Sequence, residues 1–342
     1  MTPESGHVYF LVMKLGSAPD HDFGLVKVGI TAGDPLRRVA KLQTGNPYGL
    51  ACFDSFSTPW PRQVEHFLHR SHAEEMQQGE WLKCGRDQLP ALVLRAKAIA
   101  RQIDERKSKE QPYLSQESNG QTRRATSDEF DIHVQSRRVL KELLPAKLRL
   151  KAADYRLKAA TGATFGIRGI VTVKYLPAGI RFSARLAGER FPNLVADCTV
   201  SETTGVFRWR NVPLLRQFPE CQVAQAEERA AALAVERVLQ ANSQPSGWTE
   251  RTTEFEESHD LYLRMVRTVH RLTADLEDLR TELILRLGEY EALDPICSFK
   301  RVRVPRIDRP RFIKEHPAEA EQCATYVPPR LRKNIYPSRS YV

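Results

Sequence analysis

The sequence predicts an α+β fold, and three observations carry that reading. The first ninety residues alternate short apolar runs with amphipathic stretches, and beyond about residue 160 the apolar pattern changes from helical to twofold spacing. Further on, Leu261, Met265, Val269, Leu272, Leu276, Leu279, Leu283 and Leu287 recur at steps of four and three, the seam of one long helix. With 342 residues, 41% of them hydrophobic, the chain carries enough apolar material for two to three domains. That excludes a disordered tail, a short peptide and a fibre.

Val8–Met13 and Leu25–Ile30 are apolar runs of strand length. Gly16, Ser17, Pro19, Asp20 and Asp22 lie between them and make a loop joining paired strands. Asp34-Pro35 starts a helix, the aspartate as cap and the proline in the first helical position. That helix sets Leu36, Val39, Ala40 and Gln43 on one side and Arg37, Arg38 and Lys41 on another, and Gly45-Asn46-Pro47 stops it. A strand over 50–57 follows. Pro59-Trp60-Pro61 then leads into a helix from Arg62, with Val64, Phe67, Leu68 and Ser71 on one side and Glu65, His69 and His72 on a different one.

A basic helix over about 88–107 closes the first domain, 1–107. The polar stretch 108–130 is a flexible linker by composition. Residues 131–245 form a second, basic α+β domain that could bind nucleic acid: a helix over 134–160, strands over 169–175, 180–186, 194–200 and 206–209 as an antiparallel meander, and an alanine-rich helix over 224–239. The long amphipathic helix occupies 250–295 and packs on another helix or, through 261–287, on a second copy of the chain. A basic, proline-marked tail occupies 296–342. No internal repeat and no glycine-rich phosphate loop stand out.

The formal charge of +10 is uneven: net −1 over 1–90, +8 over 91–170, +1 over 171–250, −5 over 251–295 and +7 over 296–342. Two positive blocks are the footprint of a polyanion binder, because neutralised phosphates release counterions. Arg137, Arg138, Lys141, Lys147 and Lys151 on the second-domain helix, with Arg37 and Lys41 in the first domain, are the candidate phosphate contacts. DNA is the expected partner and RNA the alternative. The start, Met1-Thr2-Pro3-Glu4, has no basic leader, and Val8–Met13 is far shorter than the roughly 20 residues of a membrane span, so a cytoplasmic protein without a membrane partner is expected. Six cysteines without a Cys-x-x-Cys pair read as free thiols, with no structural zinc.

The first domain also carries an ordered set of short motifs: Val8-Tyr9-Phe10, then Lys27-Val28-Gly29-Ile30-Thr31, then Asp34-Pro35-x-x-Arg38, then Glu65-x-x-x-His69, then Gly79-Glu80-Trp81-Leu82. Together, over residues 6–90, they resemble a GIY-YIG nuclease domain, in the phage-associated branch whose second motif reads K-[IV]-G. The resemblance implies a three-stranded antiparallel sheet with flanking helices and a DNA endonuclease that uses one divalent ion, Mg²⁺ or Mn²⁺. By the same resemblance Tyr9 helps activate the attacking water, Arg38 (or Arg37 in the neighbouring register) faces the scissile phosphate, and Glu65 holds the metal. The chemistry suits those residue types. A hard dication takes carboxylate oxygen, a guanidinium forks onto phosphate, and a phenol near a cation can relay a proton. Lys27 stands where a tyrosine is usual, His69 supports Glu65, Gly29 marks close backbone packing, and Glu80-Trp81 anchors the last strand. The lysine substitution leaves a second reading, a non-catalytic DNA-binding or regulatory protein on a degenerate nuclease fold. Elsewhere, residues 254–316 weakly resemble the C-terminal tail of YqaJ-type recombination exonucleases, and the middle block is reminiscent of a double-stranded-RNA-binding module. Neither contributes a site.

Overall fold

Residues Val8–Val12 are apolar on both faces of a strand, and the fold buries both. In the computed structural model, which describes residues 5–14, 24–44, 49–77, 80–114, 116–162, 164–239, 246–328 and 330–336, this strand is β1 (Gly6–Lys14). It pairs antiparallel with β2 (Leu25–Thr31) on one side and, beyond helix α1 (Pro35–Gln43), with β3 (Gly49–Thr58) on the other. Helix α2 (Pro61–Ser71) leads to a short β4 (Trp81–Lys83), which adds to β2, so the sheet has four strands in the order β3-β1-β2-β4 where three were expected. Val8, Phe10, Val12, Val26 and Val28 turn one face towards Val64 and Leu68 of α2 and Leu92, Val93, Ala96 and Ile99 of α3 (Leu89–Leu114), making the first core. The Gly16–Asp22 loop, the Gly45-Asn46-Pro47 stop and Gly79 lie outside the described residues.

Asp34 caps α1, its Oδ1 accepting from the Leu36 amide at 3.0 Å, with Pro35 behind it. The inner stripe of α1 is rotated from the expected one. Pro35 is buried and Val39, Leu42 and Gln43 are half-buried, whereas Leu36 is 67% exposed and Ala40 is exposed too. The helix rests against β3 and β1, and Gln43 Oε1 accepts from the Leu50 amide at 2.7 Å, so a polar residue fixes the register that Leu36 was expected to set.

The stretch expected as a linker, 108–130, is helix at both ends and holds a short strand, with irregular chain over 116–121. Helix α3 continues to Leu114, and β5 (Thr122–Arg124) and the start of α4 (Ser127–Ala160) follow. Its polar composition is satisfied across the chain instead of by water. The Ser118 hydroxyl accepts from the Arg301 amide at 2.7 Å, the Gln121 carbonyl accepts from Glu291, and Tyr113 and Leu114 pack on the second core. Thr126 and Glu129 form a capping box for α4, and Arg123 holds the Glu129 carboxylate at 2.6 and 2.9 Å.

The expected meander separates into three sheets. Beyond α4 come β6 (Gly166–Ile167), β7 (Val171–Leu176), β8 (Gly179–Phe182), α5 (Ala184–Arg190), α6 (Pro192–Asp197), β9 (Thr199–Trp209), α7 (Val212–Leu215), α8 (Pro219–Leu239) and α9 (Thr253–Leu287). The last segment supplies β10 (Ala292–Asp294), β11 (Cys297–Ile307), α10 (Arg309–Glu315), α11 (Pro317–Gln322), β12 (Ala324–Val327) and β13 (Arg330–Ile335). Strand β11 pairs with β9 along its whole length, β12 with β8, and β13 with β7. What read as a basic tail therefore completes the second domain. The run 180–186 breaks because the Ser183 hydroxyl accepts from the Leu186 amide at 3.3 Å and starts α5, and Pro192 starts α6 inside the expected strand 194–200.

The backbone also repeats where the sequence does not. Ser183 and Asp308 cap short helices, and Phe191 (φ −132°, ψ 56°) and His316 (φ −131°, ψ 62°) end them. Pro192 and Pro317 open the next helices, and Cys198 and Cys323 close those at φ −93°. Each pair is 125 positions apart, and within 183–198 against 308–323 only the prolines and cysteines are shared. The two units cross-bond: the Ser183 amide donates to the Cys323 carbonyl and the Asp308 amide to the Cys198 carbonyl, both at 2.9 Å.

Helix α9 packs on α4, α2 and α3; of its seam Leu272, Leu283 and Leu287 are buried, Met265, Val269, Leu276 and Leu279 half-buried, and Leu261 exposed. The helix is held on α2 by an edge-on contact of His270 with Phe67, centroids 4.4 Å apart, and on the turn after α2 by Arg267 with Glu74 at 2.9 Å. Among the described residues no helix is long and apolar enough to cross a membrane.

Arg301 on β11 is 2% exposed, and its guanidinium donates to the carbonyls of Tyr113, Gly288, Glu289 and Tyr290 at 3.3, 3.1, 2.8 and 3.4 Å. One side chain therefore satisfies the ends of α3 and α9, whose last carbonyls have no partners in their own helices. Replacing it by leucine strands buried acceptors, and the expected loss is about 3 kcal/mol or more in urea unfolding, with Arg301→Lys recovering part of it.

Candidate active site

The open edge of β2 organises the site. Strand β4 pairs with Leu25, Val26 and Lys27, the last opposite Trp81, and among the described residues no strand pairs with that edge from Val28 onward. Helix α2 comes to that edge, and His69 Nε2 bonds the Val28 carbonyl at 3.1 Å. Lys27, at the last paired position, reaches Glu80, the residue before β4, with Nζ and Oε2 2.5 Å apart and side chains 14% and 51% exposed. Glu65 lies one helical turn before His69 on α2, half-buried.

These groups shift one another. Burial first, and the Glu80 carboxylate second, push the Glu65 acid up to about 7, against the opposing pull of Lys27 and Arg62. Burial holds His69 below its ordinary value and so keeps it neutral near pH 7, with Glu80 pulling the other way. The Nε2–H then donates to Val28 and Nδ1 is the acceptor.

Tyr9 comes to the same strand from β1. It sits opposite Gly29 in the register and is 1% exposed, and a Cβ built on Gly29 would lie 2.6 Å from the phenol oxygen and 2.7 Å from Cζ. The ring thus crosses the strand where only a glycine lets it pass. Lys27 and Gly29 are two apart on β2 and share a face with Tyr9.

Along β2 the structure sets Lys27 against Glu80, His69 on the Val28 carbonyl and Tyr9 across Gly29, with Glu65 one turn before His69; Glu80 is the residue that sequence reasoning placed as a strand anchor. The only signal for it was its position beside Trp81. Its role depends on β4 pairing in a register that puts it next to Lys27. Arg37, Arg38 and Lys41 are exposed on α1. His72 turns from Glu65, bonding the Leu68 carbonyl through Nδ1 at 3.0 Å.

The basic positions on α4 divide into two groups. Arg137, Arg138 and Lys147 are exposed, whereas Lys151 pairs with Glu228 of α8 at 2.5 Å and Lys141 lies over the Phe218 ring at 4.9 Å. Elsewhere in the second domain Arg181 is on β8, Arg185 on α5 beside Glu189, Arg208 on β9, and Arg210 bonds Asp294, so these arginines do not share one strand. Phe207 and Trp209 pack edge-on in the second core, centroids 4.9 Å apart.

Comparison with family models, curated proteins and solved structures finds no match. The functional reading therefore rests on the site itself.

Because Tyr9 is enclosed and cannot swing away, Gly29→Ala is expected to destabilise the N-terminal unit by about 1–3 kcal/mol and to displace the phenol. Thermal unfolding, with tyrosine fluorescence or NMR on the ring, measures both effects.

Proposed function

We propose that this chain is a divalent-metal-dependent endonuclease acting on DNA, with the β2 edge as its reacting centre. The observation that carries the reading is the meeting of Lys27 with Glu80 on the strand that Tyr9 crosses, beside a half-buried Glu65 whose acid burial first, and the Glu80 carboxylate second, raise to about 7. Two neighbouring carboxylates with no thiol among them are a donor set for a hard cation, so Mg²⁺ or Mn²⁺ fits Glu65 and Glu80. When bound, such an ion supplies Lewis acidity and a water of lowered pKa.

The protein's own groups do the rest. Glu65 and Glu80 present oxygens on one side of the edge. Lys27 offers its ammonium to a phosphate oxygen without acting as a base while charged. The Tyr9 phenol, able to donate and accept, orients a water or relays its proton. His69, locked on Val28, holds α2 at the edge and so positions Glu65. Arg38, with Arg37 and Lys41, lies on the exposed side of α1, where a substrate backbone is met.

Nicking of supercoiled plasmid, with single-stranded DNA and RNA alongside, tests this under Mg²⁺ and Mn²⁺. The expected loss is about a hundredfold or more for Glu65→Ala and about tenfold or more for Tyr9→Phe. Cleavage that survives Glu65→Ala would falsify the assignment of the metal site.

Glu65 must lose its proton to ligate. Its raised acid makes proton and cation compete, so Mn²⁺ affinity should climb about tenfold per pH unit below 7 and level off above it. Without metal the same group works against stability. Its folded value of about 7 lies above a glutamate's ordinary 4.5, so the fold loses stability as pH rises through that window. Calorimetry across pH 5–8 reads both, and Glu65→Gln removes both.

One observation favours the second reading, DNA binding without cleavage. Lys27 already holds Glu80 at 2.5 Å and competes with a cation for it. That reading predicts salt-sensitive binding and no nicking under either metal. For either reading, joint replacement of Arg137, Arg138 and Lys147 by alanine is expected to lower the slope of log affinity against log salt by about 2–3. The cleavage rate at saturating DNA should stay unchanged.

A further inference from the structure

The repeated helix pair described above places one thiol, one carboxylate and one imidazole together. Cys198 Sγ, a Glu315 oxygen and a His316 ring nitrogen all lie within 4.8 Å of one another, with Sγ 3.8 Å from Glu315 Oε2. Cys198 is fully buried, His316 half-buried and Glu315 exposed, so the group opens towards solvent on the carboxylate side. A tetrahedral zinc with bonds of about 2.0–2.3 Å holds its ligand atoms roughly 3.3–3.8 Å apart, so closing the group asks for shifts of about 1 Å or less.

The scaffold itself does not require these residue types, because it occurs twice. At the equivalent place around Cys323, the counterparts of Glu315 and His316 are Arg190 and Phe191. Arg190 there donates to the Gln322 carbonyl at 2.6 Å. One copy offers a cation and a phenyl ring to its cysteine, which excludes a metal. The other offers a carboxylate and an imidazole, with the same backbone angles and the same cross-bonded amides.

The geometry points to a zinc-class divalent ion bound by Cys198, Glu315 and His316, with its fourth position left to water. The charge balances: thiolate and carboxylate neutralise a dication, and the imidazole binds neutral. The soft sulfur separates this site from the all-oxygen pair Glu65 and Glu80, which suits magnesium. Arg311 Nε lies 3.0 and 3.1 Å from the two Glu315 oxygens and orients the carboxylate, as groups behind metal ligands do. Such an ion ties the start of β9 to the bend between α10 and α11, across most of the second domain. It does not depend on the proposed nuclease chemistry.

Cobalt titration of the full chain tests the site, under reducing conditions, after chelator treatment and with excess Mg²⁺ to occupy oxygen sites. One Co²⁺ per chain with a thiolate-to-cobalt charge-transfer band is expected, discharged by one equivalent of Zn²⁺. The band should vanish in Cys198→Ser and persist in Cys323→Ser, whose cysteine occupies the matching place without ligands around it. If Cys198→Ser does not fold, judged by circular dichroism, His316→Ala takes its place, with Co²⁺ affinity expected to fall at least about tenfold at unchanged helical content. No thiolate band in the wild type, a band that survives Cys198→Ser, equal loss in both serine variants, or unchanged affinity in His316→Ala would each overturn the proposal.

Discussion

Arg301 is where three parts of the chain meet. Helix ends carry partial negative charge and carbonyls without partners, and here one buried guanidinium answers both for α3, which begins in the N-terminal unit, and α9, which runs back against it. Its own backbone is paired with Ser118 in both directions, the amide to the hydroxyl at 2.7 Å and the carbonyl from the Ser118 amide at 3.2 Å. Strand β11, both helix ends and the polar stretch between α3 and α4 are thus held by one residue.

Lys333 repeats the device on β13. Its ammonium sits among the Lys158 and Gly162 carbonyls and the Thr161 hydroxyl at the end of α4, and burial pushes it down to about 8. Two cations of the strongly basic last segment are therefore internal caps. On α4, Lys151 and Arg156 face Glu228 and Glu227 of α8 at 2.5 and 3.9 Å. The charge free to meet a polyanion is smaller than the composition implies, with Arg137, Arg138 and Lys147 of α4 exposed.

The candidate site has a similar economy. β4 is three residues long, so β2 is left bare from Val28, and a bare strand edge is where a side chain can take the place of a neighbouring strand. His69 does so. This brings α2, and with it Glu65, to the strand edge near which Lys27 meets Glu80. The raised acid of Glu65 is then a consequence of burial plus a second carboxylate, a tension that a cation or a proton relieves.

Local signals were legible wherever neighbours in sequence decide the outcome. Val8–Met13, the Asp34-Pro35 start, the Glu65 and His69 spacing on one helix and the leucine steps of α9 each needed only the residues beside them. The alternation of Ile180, Phe182, Ala184 and Leu186 failed because a serine cap competes locally with a strand and wins when the next turn can pack. The linker reading failed because polar residues look alike whether water or a distant strand satisfies them. Glu80 beside Lys27, the two carbonyl-bound cations, and the meeting of Cys198 with Glu315 and His316 join residues 11 to 188 positions apart. The chain alone determined its periodicities, its caps and the residue types available for chemistry. Which of those residues stand together was decided by strand register and helix packing, since charge, burial and reach act through space and sequence spacing carries no record of them.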